Sequence, residues 1–262
     1  MISLPLVYTI LALIAYTTSF WYLFIRLMSK REPNPWLFAF VTTLALLLHG
    51  TVLCNAMLTP LGINYDVFNL VSFTSWLMLL LSLIFSTFRP IVPLNLLGIP
   101  VAAIGLILGF GFSKPDQFIE QHSLGLDTHI ILSLSAYAVL LMATIHAILM
   151  WFQNRELKKK QKKRFWVNLL PPIQAMESLL FDLIITGFIL LTIALTFGFL
   201  TIDNFFAQHL AHKTVFSIIS WIIYGSLLIG HYKLGWRGQK AIRFTLIGFA
   251  LLAIGLKLSA IL

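Results

Sequence analysis

Seven histidines stand in a chain that is 59% hydrophobic and only 10% charged, so every imidazole inside an apolar run needs a physical reason. A neutral imidazole must find a partner for its ring N–H, and a charge at the centre of a membrane span costs roughly 2.5–3.5 kcal/mol. A histidine within or at the edge of such a run therefore points to a ligand, a proton relay or an interhelical hydrogen bond. The seven are His49, His122, His129, His146, His209, His212 and His231. Cys54 is the single cysteine, which excludes an intramolecular disulfide framework and a cysteine-based zinc cage. No nucleophile–base pair, phosphate loop or carboxylate cluster is legible, so no enzyme is expected.

The elements that must position these residues are read from apolar runs. Crossing a hydrocarbon core of about 30 Å takes about 20 apolar residues. Eight stretches meet that length: Leu4–Leu27, Trp36–Met57, Asp66–Thr87, Pro90–Phe112, Thr128–Phe152, Leu179–Thr201, Ala211–Tyr232 and Ala241–Ile261. They are continuous rather than alternating, which argues for helices and against strands. The expected fold is all-α: a polytopic membrane helix bundle of eight transmembrane helices, forming a single membrane domain over residues 1–262. The first run lacks a basic lead and is too long for a signal sequence, so it reads as a retained helix.

Basic residues outnumber acidic ones, 18 to 9, yet they sit in short gaps between apolar runs, so membrane topology explains them and nucleic acid does not. Arg26, Lys30 and Arg31 follow the first run, Arg89 the third, the stretch from Arg155 to Arg164 the fifth, and Lys233, Arg237, Lys240 and Arg243 the seventh. The opposite loops hold Asp66, then Lys114, Asp116, Glu120 and Asp127, then Asp203. The basic side is cytoplasmic on this pattern, and both termini lie outside the cytoplasm. The loop over 154–178 joins its basic run to Phe165, Trp166, Val167, Leu169 and Leu170 before Pro171-Pro172. It reads as an interfacial segment on anionic lipid, with docking of a membrane or cytosolic protein partner as the functional alternative.

Depth then sorts the histidines. His129 opens the fifth run and His212 the seventh, both at the outer face and within about a turn of the helix end. Two imidazoles at one height on two helices are what bis-histidine ligation of a flat haem requires. The bland alternative is a pair of helix-end histidines bonded to water or lipid headgroups. Asp127 could orient a ring as an acceptor. His49 lies past the middle of the second run, about 20 Å from its inner end, whereas His231 is within roughly one turn of the inner end of its own. His146 matches His231 better in height, with an interhelical hydrogen bond as the preferred reading. His122 and His209 fall in outer loops, and His209 with His212 at i,i+3 makes at most a weak metal pair. Asp182 reads as a first-turn carboxylate favoured by the helix dipole, and Lys257 as a snorkelling lysine.

Several motifs resemble one family. His212-Lys-Thr-Val-Phe-Ser-Ile-Ile-Ser-Trp221-Ile-Ile-Tyr224, then His231, then Gly235-Trp236-Arg237-Gly238 and Gly248-Phe249, resembles the C-terminal part of the cytochrome c assembly superfamily. That group includes the CcsA and CcmC haem-handling proteins and the HemX-type and YpjD-type inner membrane proteins. Asp127-Thr128-His129 with Ser135-Ala136-Tyr137-Ala138 resembles its external-histidine helix, and His49-Gly50 with Asn69-Leu70 and Ser75-Trp76 its first pair of helices. The resemblance covers most of the chain, and its most specific piece is Gly-Trp-Arg-Gly. It implies a multi-pass protein of the bacterial inner membrane that holds or relays haem, linked to cytochrome c assembly or haem homeostasis. It implies a non-covalent b-type haem, with His129 as the first external ligand and His49 and His231 as histidines assigned to haem within the membrane. His212 is the candidate for the second external ligand, since the HemX and YpjD branch is similar to this chain in its His-Lys. Where assembling members carry a tryptophan-rich external segment, this chain reads Gln208-His209-Leu210-Ala211-His212-Lys213-Thr214. That departure argues against presenting haem to apocytochrome c and leaves the holding of haem intact. Two rivals are a regulatory or assembly scaffold acting through the basic loop, and a small-solute permease using His49 and Asp182 as a proton relay.

Overall fold

The computed structural model describes residues 4–60, 62–114, 119–120, 124–158, 170–201 and 208–261; side chains at 119–120, 208–213 and 256–261 fall outside that description. Eight long helices account for nearly all of it: α1 (Leu4–Met28), α2 (Pro35–Met57), α3 (Val67–Phe88), α4 (Asn95–Phe112), α5 (Leu124–Leu157), α6 (Ile173–Thr201), α7 (Gln208–Leu234) and α8 (Gln239–Ile261). Among the described residues, the first seven are long and apolar enough to cross a membrane. At 1.5 Å per residue, the 23 residues of α8 also reach about 34 Å. The expected all-α polytopic bundle is what the chain forms.

The chain divides into two compact units, Met1–His122 with Leu169–Pro171, and Ser123–Asn168 with Pro172–Leu262. Within the first unit, α1 packs on α2, α2 on α3, α3 on α4, and α4 back on α1. The helix starts are written in local chemistry. Asn34 caps α2 by accepting from the Trp36 N–H at 3.0 Å, with Pro35 at the first helical position. Asp66 caps α3 by accepting from the Phe68 N–H at 3.0 Å. Arg89, held extended by the proline that follows it, ends α3. A 3₁₀ turn, Val92–Leu94, comes next, so α4 begins at Asn95 rather than at the expected Pro90. The α3–α4 seam is close because small residues face each other. A Cβ on Gly109 would stand 2.7 Å from the Ser72 Cβ, and one on Gly105 would overlap the Ser75 hydroxyl.

A small antiparallel sheet joins these helices at one end: β1 (Leu58–Thr59) pairs with β2 (Gly62–Asn64), which pairs with β3 (Ile119–Glu120). Asn64 anchors it, donating from Nδ2 to the Lys114 carbonyl at 3.0 Å and accepting from the Asp66 N–H at 2.9 Å. Strands of two or three residues carry no readable periodicity, which is why the sequence pattern holds no trace of them.

The second unit repeats the neighbour order: α5 against α6, α6 against α7, α7 against α8, and α8 against α5. α5 has 34 residues and α6 has 29, roughly 51 and 44 Å, so both outrun a 30 Å core. Two expectations change accordingly. The loop expected over 154–178 contracts, because α5 carries Arg155 in its last turn and α6 starts at Ile173. Asp182, expected in a first turn, lies in the third turn of α6, beyond the reach of an N-terminal dipole argument. Residues 159–169, with most of the basic run and Phe165 and Trp166, lie outside the described residues.

Candidate functional site

His129 sits in the second turn of α5, half-buried. Its Nδ1–H donates to the Ala194 carbonyl of α6 at 2.8 Å. A helical carbonyl already serves the amide four residues on, and that residue's side chain normally shields its second lone pair. Here that residue is Gly198, and a Cβ there would stand 2.9 Å from His129 Cε1 and 3.1 Å from Nδ1. The missing methyl is thus what lets the ring reach the carbonyl. With the proton held on Nδ1, the neutral ring keeps its lone pair on Nε2, the arrangement that ligating histidines show. Asp127, expected as the orienting acceptor, stands in the first turn of α5, where the dipole favours it. Placing the acceptor on Ala194 corrects that expectation. Gly198→Ala should displace the ring from the Ala194 carbonyl at a cost of about 1 kcal/mol, read as a lowered melting temperature.

His212 stands in the second turn of α7 by its backbone; its side chain lies outside the description. The Tyr224 hydroxyl donates to the Thr245 carbonyl of α8 at 3.3 Å. By backbone, His129 and His212 each stand in the second turn of their own helix.

His231 occupies the last turn of α7, its Nδ1–H donating to the Trp236 carbonyl at 2.9 Å. Its ring stacks on Phe181, centroids 3.5 Å apart and planes 20° from parallel. Gly-Trp-Arg-Gly gains a physical meaning here. Gly235 (φ 64°) ends the helix in the left-handed conformation, its N–H reaching the His231 carbonyl at 3.2 Å, while the Trp236 N–H returns to the Gly230 carbonyl at 3.0 Å. Gly238 donates its N–H to Glu177 Oε1 at 3.1 Å, so a carboxylate of α6 caps the start of α8. Glu177→Ala should cost about 1 kcal/mol of stability, visible as a lowered melting temperature.

His49 is 0% exposed in the first unit and both ring nitrogens are engaged: Nδ1 with the Tyr16 hydroxyl at 3.0 Å and Nε2 with Ser72 Oγ at 2.9 Å. In either tautomer one nitrogen donates and the other accepts. His146 bonds through Nδ1–H to the Met142 carbonyl of its own helix at 3.2 Å, so the expected interhelical bond is replaced by a local one. His122 and the His209 side chain lie outside the described residues. Sequence reasoning missed Ala194, Gly198, Tyr16, Ser72 and Glu177 as partners, since none carries a spacing signal toward its histidine or glycine.

The sequence model of the family described as "Cytochrome C assembly protein" matches residues 4–262. The chain belongs to the cytochrome c assembly family. It is 30% identical over 255 residues to the "Inner membrane protein YpjD" of Escherichia coli strain K12, covering 95% of this chain and 94% of that protein. An "Uncharacterized 28.8 kDa protein in nifR3-like 5'region" of Azospirillum brasilense is 30% identical over 131 residues, 49% of this chain and 48% of its own length. No solved structure matches. As a family member built of long apolar helices, the protein is a multi-pass protein of the bacterial inner membrane. Among the described residues no three His, Cys, Asp or Glu side chains gather as a metal cage. A porphyrin brings four nitrogens of its own, so two imidazoles suffice for haem iron.

Proposed function

We propose that this protein holds haem non-covalently and relays it within the inner membrane, with His129 and His212 as the residues that would hold the iron. The observation that carries the proposal is the Nδ1–H bond of His129 to Ala194, which leaves Nε2 as a lone pair at a helix end rather than in a packed core. The place of His212 in the second turn of α7, matching that of His129 in α5, supports it as the second ligand. The loop charges support placing that end on the extracytoplasmic side. A lone cysteine offers no pair of thiols for covalent attachment, which supports a non-covalent haem, proposed here as b-type. Bound haem would supply iron redox and transfer chemistry, while the protein's own part is to orient imidazoles and bury an apolar macrocycle.

His49 in the first unit and His231 in the second are each further candidates for haem within the membrane in this proposal, on unequal terms. His231 keeps Nε2 available once Nδ1 is held by Trp236, whereas His49 must exchange its bond to Ser72 or Tyr16 to meet iron. The family match over residues 4–262 supports treating both units as one membrane domain. A membrane or cytosolic protein partner would meet the basic loop. Purified protein supplied with haem should develop a low-spin bis-histidine absorbance at one haem per chain; a protein that stays colourless sinks the assignment.

A further inference from the structure

His146 takes no part in the haem sites proposed above. It is 5% exposed, its Nδ1–H is committed to Met142, and its Nε2 is buried with no hydrogen-bond partner. A buried polar atom left unpaired is costly, and native proteins keep few of them without a use. Three buried methionines share the neighbourhood. Met142 and Met150 flank His146 by four residues on the same face of α5, and both are buried. Helical side chains lean toward the N-terminus, so the Met150 thioether lies over the turn of His146. The third comes from α6. A Cβ on Gly187 would meet Leu140 and Val139, which sets the antiparallel register of the two helices. Eleven residues from Gly187 along α6, and ten or eleven from Val139 and Leu140 along α5, bring Met176 level with Met150, both buried.

We propose that His146, with Met150 and Met176 and with Met142 at its edge, forms a binding site for a soft monovalent metal ion, Cu(I). The ligand chemistry selects the guest. One imidazole nitrogen with thioether sulfurs, and no thiolate or carboxylate, suits Cu(I). A divalent ion surrounded by neutral ligands in an apolar interior would carry a far larger desolvation cost. His146 lies seventeen residues, about 25 Å, along α5 from His129. The site is therefore separate from His129 and goes beyond the haem assignment.

The test uses full-length, haem-free protein in detergent with Cu(I) under anaerobic reducing conditions, competed against bicinchoninate. Cys54 is exposed and binds Cu(I) on its own account, so Cys54→Ser is the background. One Cu(I) per chain is expected, with sulfur and nitrogen scatterers in its X-ray absorption spectrum. His146→Ala should weaken binding at least about tenfold, and Met150→Leu, which conserves volume, should weaken it while leaving the melting temperature nearly unchanged. Three results would overturn the proposal: no copper above a detergent blank, retention unchanged in His146→Ala, or a copper site without sulfur. Haem absorbance in the same samples reports separately on His129.

Discussion

His129→Ala should abolish the bis-histidine absorbance of the haem-loaded protein and lower haem retention by roughly 10–100-fold or more. The size of the effect follows from what the ring does. Its Nδ1–H is fixed on the Ala194 carbonyl at 2.8 Å, so Nε2 is held ready and little ordering remains to be done when iron arrives. On the proposed assignment, alanine removes both the ligand and its orientation. His129→Met makes the sharper control, since a thioether can still ligate: it should retain haem and raise its reduction potential, as methionine–histidine ligation does. His212→Ala should lose the same absorbance if it supplies the opposing nitrogen. A spectrum indifferent to His129 would move the iron elsewhere in the chain.

Loss of His49 should instead be felt as loss of fold. The ring fills a fully buried position in the first unit and joins three helices, through Tyr16 on α1 and Ser72 on α3. In His49→Ala two buried hydroxyls lose their partner, at roughly 1–3 kcal/mol each in a dry interior, and the emptied volume adds its own cost. Interhelical hydrogen bonds within membranes average only about 0.6 kcal/mol, which pulls the total down. A destabilisation on the order of 3 kcal/mol is expected, measured by thermal or denaturant unfolding in detergent. His49→Gln, which keeps one donor and one acceptor, should recover part of it. In the fraction that stays folded, the His129-dependent haem spectrum should persist. If His49→Ala kept full stability and lost haem, His49 would be a ligand first and a packing group second.

Much of this architecture is legible in the amino-acid sequence alone. Eight apolar runs, the alternation of basic and acidic loops and the isolated histidines all rest on water-to-lipid transfer, which acts residue by residue and so leaves a linear record. The motif around Gly235 and Trp236 is readable too, because a left-handed helix end demands glycine locally. What tertiary structure alone decides is the partner of each imidazole. Sequence separates His129, at the start of an apolar run, from His49 and His146 inside theirs, but marks the partner of none of them. Packing gives His49 two hydroxyls, gives His129 a carbonyl bared by Gly198 on another helix, and leaves His146 with an unpaired nitrogen. The partners of His49 and His129 lie 23 to 65 residues away along the chain. A hydrogen bond depends on ångström-scale register between helices, whereas hydropathy reports only that a helix is there.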